Sequence, residues 1–282
     1  MNRDVMVFGR KMHACLLGGG EIPILLLSGS GVPLPQVEYS PLTKALSHNH
    51  LVVVLEKFGY GASDSVDDSR EIRQVVAEYR AAVAALDLSL PLVLAAHSMG
   101  FLEALYWAQH YPEEVLALVG IDPATPESYQ DVDIAKSEKQ LQTLAQKPRL
   151  QKVTAKSYCR QLCRRLAIPK SRRVDLEAKA LHSIAGPVWL AECRALPDNL
   201  DAIAALPLPR TIPTLFFLSN GKGTNMPAPV WRQHGMDFLK GMVYSDSVLL
   251  DLPHNLYQLA PDLIAQRITD WLESLLQITK ER

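Results

Sequence analysis

The chain has 282 residues, of which 48% are hydrophobic and 21% are charged. This composition is sufficient to bury a full core, and it excludes a disordered chain, a collagen-like repeat and a small domain held together by disulfides. With 29 basic and 30 acidic residues the formal net charge is -1, so the chain has no overall field that would attract nucleic acid, and no nucleic-acid partner is predicted.

The start of the chain and its apolar runs bear on where the protein resides. Asp4 is an early acid, and it is not followed by the apolar stretch of a secretory signal. The longest apolar runs, such as residues 51–55, are far too short to cross a bilayer. We therefore predict a cytoplasmic protein.

Short apolar runs bounded by turn residues predict eight strands. They cover residues 5–8, 14–17, 23–27, 51–56, 92–96, 115–121, 214–218 and 248–252. The glycines at 18–20 permit a tight hairpin between the second and third strands, so the opening of the sheet is predicted to be antiparallel.

Helices are predicted between the later strands. Segment 70–86 carries one apolar stripe, made of Ile72, Val75, Val76, Tyr79, Val83 and Leu86. A proline at 41 and another at 261 are each placed to open a further helix. Apolar strands that alternate with one-sided helices indicate a mainly parallel sheet covered on both faces.

The alternation of strands and helices stops between residues 125 and 206. Helix-compatible, polar and proline-punctuated sequence replaces it, which predicts a helical cap inserted after strand six, with the core formed by 1–124 and 207–282. The charge supports this division, because the insertion holds 14 basic and 9 acidic residues and the remainder holds 15 basic and 21 acidic residues.

The most informative segment is an apolar strand that runs into Ser98 and then directly into a helix. Ala96 and Gly100 flank the serine at two-residue spacing. A nucleophile on a strained strand-to-helix turn needs such small neighbours, and the following helix directs its free N–H groups at developing negative charge. The alternative role for Ser98 is a helix N-cap.

This segment resembles the nucleophile elbow of the α/β-hydrolase superfamily, G-x-S-x-G, with alanine at the first position. Segment 25–31 resembles the family's loop after the third strand, and 252–255 resembles the segment that bears its catalytic histidine. Ser28 stands where the family usually has a histidine. The resemblance covers nearly the whole chain and implies an α/β fold with an eight-stranded, mainly parallel sheet.

The resemblance implies a serine hydrolase that works through an acyl-enzyme. In that mechanism Ser98 attacks an acyl carbonyl, and His254 takes its proton and returns it to the leaving group. The backbone N–H groups of Ser30 and Met99 would stabilise the oxyanion. A histidine in a surface loop is the alternative reading of His254.

The acid of the triad is not at its usual place. The family commonly carries an aspartate after the strand that follows the cap, but segment 213–224 contains no acid. Some members carry it after strand six, where this chain has Asp122. Asp122 is therefore predicted to orient His254, with Asn220 and Asp251 as alternatives.

Gly29 and Tyr60 are predicted to line the pocket, although a packing role for Tyr60 fits its glycine-rich segment equally well. The four cysteines lack Cys-x-x-Cys or paired Cys/His spacing. No metal and no cofactor are predicted.

A basic stretch lies inside the predicted cap. Residues 139–174 contain eleven basic residues and no acid, and a row at i+4 spacing is formed by Lys152, Lys156, Arg160 and Arg164. This pattern predicts a weak contact with an anionic surface or substrate, while packing of an ordinary cap helix explains it equally well.

Together these features predict a cofactor-independent hydrolase of an ester or related acyl bond in a small molecule. Thioester, lactone, amide and carbon–carbon substrates would use the same three residues. The main alternative is a binding protein on this fold without turnover, because the scaffold serves unrelated functions. The sequence specifies neither the acyl group nor the oligomeric state.

Overall fold

A computed structural model describes residues 1–280, in which eight strands form one sheet. The strands are Asn2–Val7 (β1), Arg10–Leu17 (β2), Ile24–Leu27 (β3), Val52–Glu56 (β4), Leu92–Ser98 (β5), Val115–Pro123 (β6), Thr214–Leu218 (β7) and Ser245–Leu249 (β8). Their order across the sheet is β1-β2-β4-β3-β5-β6-β7-β8; β2 pairs antiparallel with both β1 and β4, and all the other pairs are parallel. The predicted fold class is confirmed.

The hairpin predicted at residues 18–20 is wrong. β2 pairs with β4, and β3 pairs in parallel with β4 and β5. The glycine turn packs on a neighbouring loop instead, because a Cβ on Gly18 would lie 2.2 Å from the carbonyl oxygen of His50. The tight antiparallel connection is at Phe8 and Gly9, both with positive φ, between β1 and β2.

The last strand begins and ends three residues earlier than its apolar run predicts. β8 lies at the edge of the sheet and pairs with β7 from Ser245 to Leu249. Its residues are half-buried or exposed, so polar side chains are tolerated there. An apolar run therefore does not mark an edge strand of this kind.

Eleven helices lie within residues 1–280. They are Pro35–Glu38 (α1), Ser40–Leu46 (α2), Ile72–Ala85 (α3), Gly100–His110 (α4), Ile134–Ala145 (α5), Pro148–Arg165 (α6), Arg173–Ser183 (α7), Pro187–Ala204 (α8), Ala228–Lys240 (α9), Leu256–Leu259 (α10) and Pro261–Lys280 (α11). The strand residues fall into two apolar clusters, one shared with α3 and α4 and the other with α2 and α11. The sheet is thus covered on both faces.

Helices α5 to α8 lie between β6 and β7, inside the insertion predicted at 125–206. α6 and α7 share a small apolar cluster of their own, which includes Cys159, Leu162 and Leu176 and takes Leu34 from the core. The cap is therefore both a packed unit and a partner of the core.

The basic row predicted on the cap lies on the exposed side of α6. Its residues are Lys152, Lys156, Arg160 and Arg164, all exposed, while Ala155 and Cys159 are buried on the opposite side. Contact with an anionic surface stays a prediction. Among residues 1–280, no helix has the length and apolar character needed to cross a membrane.

Glu38 of α1 is a buried carboxylate between cap and core. It accepts hydrogen bonds from the hydroxyl of Tyr158 in α6, from Tyr257 Oη at 3.1 Å and from Gln258 Nε2 at 3.3 Å. Burial raises the pKa of Glu38 to about 7, although the Tyr158 and Tyr257 hydroxyls act in the opposite direction. The ionised carboxylate therefore opposes folding.

Glu38→Gln should remove part of the pH dependence of stability. Because the folded pKa lies above the ordinary value of 4.5, the group stabilises the fold fully below that value and loses this contribution as the pH rises through about 7. Relative to the variant, the wild type should lose on the order of 3 kcal/mol of unfolding free energy across this window.

Thermal and urea unfolding from acid to mildly alkaline pH measure this difference. The exposed carboxylate of Glu21 supplies the control variant Glu21→Gln, whose difference from wild type should not vary with pH. A constant difference between Glu38→Gln and wild type would contradict the raised pKa.

Candidate active site

Ser98 is the last residue of β5, and only Met99 separates it from the first residue of α4. Its φ is +51°, in the left-handed region that costs a residue with a Cβ roughly 1–2 kcal/mol. Gly29 and Gly100 make the close packing of this turn possible. A Cβ on Gly29 would lie 2.9 Å from Ser98 Cβ, and one on Gly100 would lie 2.7 Å from the Ser28 carbonyl oxygen.

Asp122 lies next to the end of β6, on the strand beside β5, and it is fully buried. Ser98 pairs with Pro123 in the sheet, and the N–H of Ala124 donates to the Ser98 carbonyl at 3.0 Å. The two parallel strands therefore deliver the serine and the aspartate to the same edge.

His254 reaches this edge from the loop between β8 and α10. Its Nδ1 lies 2.5 Å from Oδ2 of Asp122. The other carboxylate oxygen of Asp122 accepts hydrogen bonds from the Ser219 backbone N–H and from Trp231 Nε1, both at 2.7 Å. These two donors hold the carboxylate so that its second oxygen faces the imidazole.

Asn220 and Asp251, the alternatives to Asp122, pair with each other. Asn220 Nδ2 donates to Asp251 Oδ1 at 2.9 Å, in an exposed position. The structure thus brings Asp122, and not these two residues, to His254. Sequence reasoning missed Trp231, because its position in α9 has no spacing that relates it to Asp122.

His97, the residue before Ser98 in β5, lies against His254. The two rings are 4.4 Å apart, and His97 Nε2 lies 3.3 Å from the His254 carbonyl oxygen. Burial lowers the pKa of His97 well below its ordinary value, and the nearby His254 lowers it further. His97 is therefore neutral at neutral pH, with its Nε2–H able to donate to that carbonyl.

A cavity of about 380 Å³ opens at Ser98, and Ser30 and Met99 line it with the serine. The cap contributes seven apolar residues to its lining, namely Tyr129, Val132, Ile134, Leu141, Leu144, Trp189 and Leu196. The size suits a small molecule. The structure thereby places Ser30 and Met99, the two residues predicted to form the oxyanion hole, beside Ser98.

The residues that line this cavity do not include Gly29 and Tyr60. Gly29 packs against the Cβ of Ser98, where no side chain fits. Tyr60 is 1% exposed, and its hydroxyl donates to the carboxylate of Glu192 behind the loop that carries Ser30. The cavity at Ser98 is thus lined by neither residue, and a pocket-lining role for Gly29 and Tyr60 stays a prediction.

The cysteines at 15, 159, 163 and 193 are free thiols. Within the described residues, no group of three or more His, Cys, Asp or Glu side chains is arranged to hold a metal ion.

The sequence model of the alpha/beta hydrolase fold family matches residues 22–192, which is more than half of the chain. The protein belongs to this family. The match begins just before β3 and includes Ser98, Asp122 and much of the cap, whereas the segment that carries His254 lies beyond it.

Two curated proteins are similar to part of this family member. The uncharacterized protein YbdG of Bacillus subtilis is 34% identical over 125 residues, 44% of this chain and 38% of that protein. The cis-3-alkyl-4-alkyloxetan-2-one decarboxylase of Shewanella oneidensis is 29% identical over 114 residues, 39% of this chain and 35% of that enzyme. The matched part thus spans less than two fifths of either relative.

The fold is also shared with solved structures over almost its full length. The epoxide hydrolase VrEH1 from Vigna radiata superposes with a TM-score of 0.75, covering 97% of this chain and 98% of that one. The sequence identity is 19%, so this likeness establishes the fold alone.

Ser98→Gly should stabilise the protein, because glycine adopts a positive φ without the clash of a Cβ. We expect a free energy of unfolding about 1 kcal/mol above that of Ser98→Ala, which retains the Cβ. Urea unfolding of the two variants beside the wild type measures it. A glycine variant no more stable than the alanine variant would show that the turn is not strained.

Proposed function

We propose that this protein hydrolyses esters of small, apolar acids through Ser98, His254 and Asp122. The observation that carries the proposal is the 2.5 Å contact between His254 Nδ1 and the buried carboxylate of Asp122. Ser98, held at a φ of +51° on a strand-to-helix turn, pairs in the sheet with Pro123, the residue that follows Asp122. A strained serine, an imidazole and a buried carboxylate in one place form the pattern of a catalytic triad.

The contact with Asp122 determines which ring nitrogen of His254 carries the proton. A carboxylate that accepts the Nδ1–H leaves Nε2 of His254 free to accept a proton from the Ser98 hydroxyl. The serine oxygen then adds to the ester carbonyl, and the tetrahedral oxygen takes the negative charge. In this mechanism the backbone N–H groups of Ser30 and Met99 donate to that oxygen.

Collapse of this intermediate breaks the bond to the leaving alcohol, which takes the proton held by His254. Water then enters, gives a proton to the same nitrogen and adds to the acyl-serine. Breakdown of the second tetrahedral intermediate releases the acid and restores the Ser98 hydroxyl. Every proton in this cycle passes through His254, and no cofactor is required.

The substrate class follows from the cavity and from one relative. The lining of the cavity is mainly apolar, with Ser137 and Gln140 among its few polar side chains. The Shewanella oneidensis relative is named for a dialkyl oxetan-2-one, which is a four-membered cyclic ester. Both support an ester carbonyl that carries alkyl groups, linear or within a lactone ring.

A fluorophosphonate probe should label Ser98 of the wild-type protein, and mass spectrometry of the digested adduct locates it. The wild type should also hydrolyse p-nitrophenyl butyrate, since the probe and the ester need the same activated hydroxyl. Ser98→Ala should abolish both while its thermal melt stays cooperative. Binding of apolar esters without labelling would favour the non-catalytic binding protein over the enzyme.

Asp122→Asn should lower kcat by about 10⁴. The amide would still accept from Ser219 and Trp231, but its NH₂ would face Nδ1 and impose the wrong tautomer on His254. The matched control is Asp251→Asn, whose carboxylate pairs with Asn220 at the surface and whose turnover should stay near that of the wild type.

Thermal melts of both variants distinguish a loss of turnover in a folded protein from a loss caused by unfolding. Normal turnover by Asp122→Asn, together with a loss of turnover in Asp251→Asn, would show that Asp122 is not the acid of the triad.

A further inference from the structure

A buried chain of ionic contacts connects the nucleophile helix to the cap. The ammonium of Lys57, which follows β4, lies 2.9 Å from Glu103 Oε1 and 2.9 Å from Glu192 Oε1. Glu103 is in the first turn of α4, the helix that follows Ser98, and Glu192 is in α8 of the cap. The three side chains are at most 6% exposed.

The second oxygen of Glu192 holds the loop that carries the predicted oxyanion residue. It accepts hydrogen bonds from Ser30 Oγ at 2.8 Å and from Tyr60 Oη at 2.6 Å. Tyr60 Oη in turn accepts from the backbone N–H of Gly31 at 3.2 Å. One cap carboxylate thus holds the Ser30 side chain directly and the next peptide N–H through a tyrosine.

Packing from the same cap helix reinforces these hydrogen bonds. Gly31 has a φ of +67°, and a Cβ there would lie 2.3 Å from the ring of Trp189. Trp189 stands three residues before Glu192, so both side chains lie on one face of α8. The loop is therefore held by α8 through steric contact and through hydrogen bonds at the same point.

The Lys57 ammonium stays charged although it is buried, and its two ion pairs fix the relative positions of the groups they join. Burial alone would lower the pKa of Lys57, but the carboxylates of Glu103 and Glu192 outweigh it and raise that pKa, so the ammonium stays charged. A buried ion pair stabilises a fold no better than well-packed apolar groups do. What it adds here is a fixed distance and direction between the cap, the loop after β3 and the helix after the nucleophile.

We propose that Glu192 is a positioning residue that completes the oxyanion hole when the cap is docked. It fixes the loop so that the backbone N–H of Ser30 meets the developing oxyanion, while Lys57 and Glu103 hold Met99 and α4 in register with it. The proposal rests on the proposed ester hydrolysis. The backbone N–H groups of Ser30 and Met99 stabilise the transition state more than they stabilise bound substrate. A change at Glu192 therefore affects kcat rather than KM.

Glu192→Gln and Tyr60→Phe test the proposal with p-nitrophenyl butyrate as substrate. Each should lower kcat by about tenfold to a hundredfold, the effect of a small displacement of one donor, while KM stays near wild type. Inhibition by phenylboronic acid, whose adduct with Ser98 is a tetrahedral anion, should weaken by a similar factor. The kcat of the double variant should be only slightly below that of the less active single variant, because both changes release the same loop.

Glu138→Gln is the matched control. Glu138 of α5 pairs with Arg194 of α8 at 2.8 Å, so its loss breaks a cap ion pair that does not reach the loop. Its kcat, KM and boronate inhibition should equal those of the wild type. If Glu192→Gln does not fold, Tyr60→Phe and its boronate inhibition carry the test alone.

Unchanged kcat and boronate inhibition in folded Glu192→Gln or Tyr60→Phe would overturn the positioning role and leave the ester hydrolysis standing. A joint change of kcat, KM and melting temperature that Glu138→Gln reproduces would also overturn it, since cap docking alone would then explain the effect. A wild type without turnover or labelling would overturn the proposed function and this inference with it, and that result is seen before any variant is made.

Discussion

The rest of the site depends on how the fully buried carboxylate of Asp122 is satisfied. A buried carboxylate needs several donors to offset its loss of water. Asp122 finds them in a backbone N–H after β7, an indole in α9 and the imidazole between β8 and α10. Four separate parts of the chain therefore meet at one side chain, and the histidine is placed as a consequence.

The neighbouring strand adds the second constraint. Parallel strands end at a common edge, so the residues that follow β5 and β6 come together whatever their separation in sequence. Ser98 and Asp122 both have positive φ there, +51° and +53°. Strain of this kind is retained at functional sites and is offset by the packing around them, here by Gly29, Gly100 and the apolar core beneath.

Two buried glutamates at separate places contribute to the attachment of the cap to this frame. Glu38 of the core accepts a hydrogen bond from the hydroxyl of Tyr158 in α6. Glu192 of the cap accepts hydrogen bonds from the hydroxyls of Ser30 and Tyr60 in the core. Both contacts are specific in direction, whereas the cap's own cluster is apolar. The cap thus supplies most of the apolar cavity wall and, by our proposal, part of the catalytic geometry.

Much of the fold and the centre of the site could be predicted from the sequence, because their signals are local. An apolar run identifies a buried parallel strand, and the small residues around Ser98 reflect the space available in one turn. The edge strand β8 and the misplaced hairpin at residues 18–20 show the limit. Exposure at the sheet edge and the insertion of β4 between β2 and β3 are decided by pairings that no short segment records.

Only the tertiary structure decided which acid meets His254. By sequence, Asp122, Asn220 and Asp251 are each plausible partners, since all lie at or near the ends of strands of the same sheet. The fold buries the first with three donors around it and leaves the other two paired at the surface. Trp231 and Glu192 were equally invisible, because their partners lie 109 and 162 residues away along the chain. Residue types and local spacing determine which side chains can do chemistry, whereas contacts across the sheet and the cap determine which of them meet.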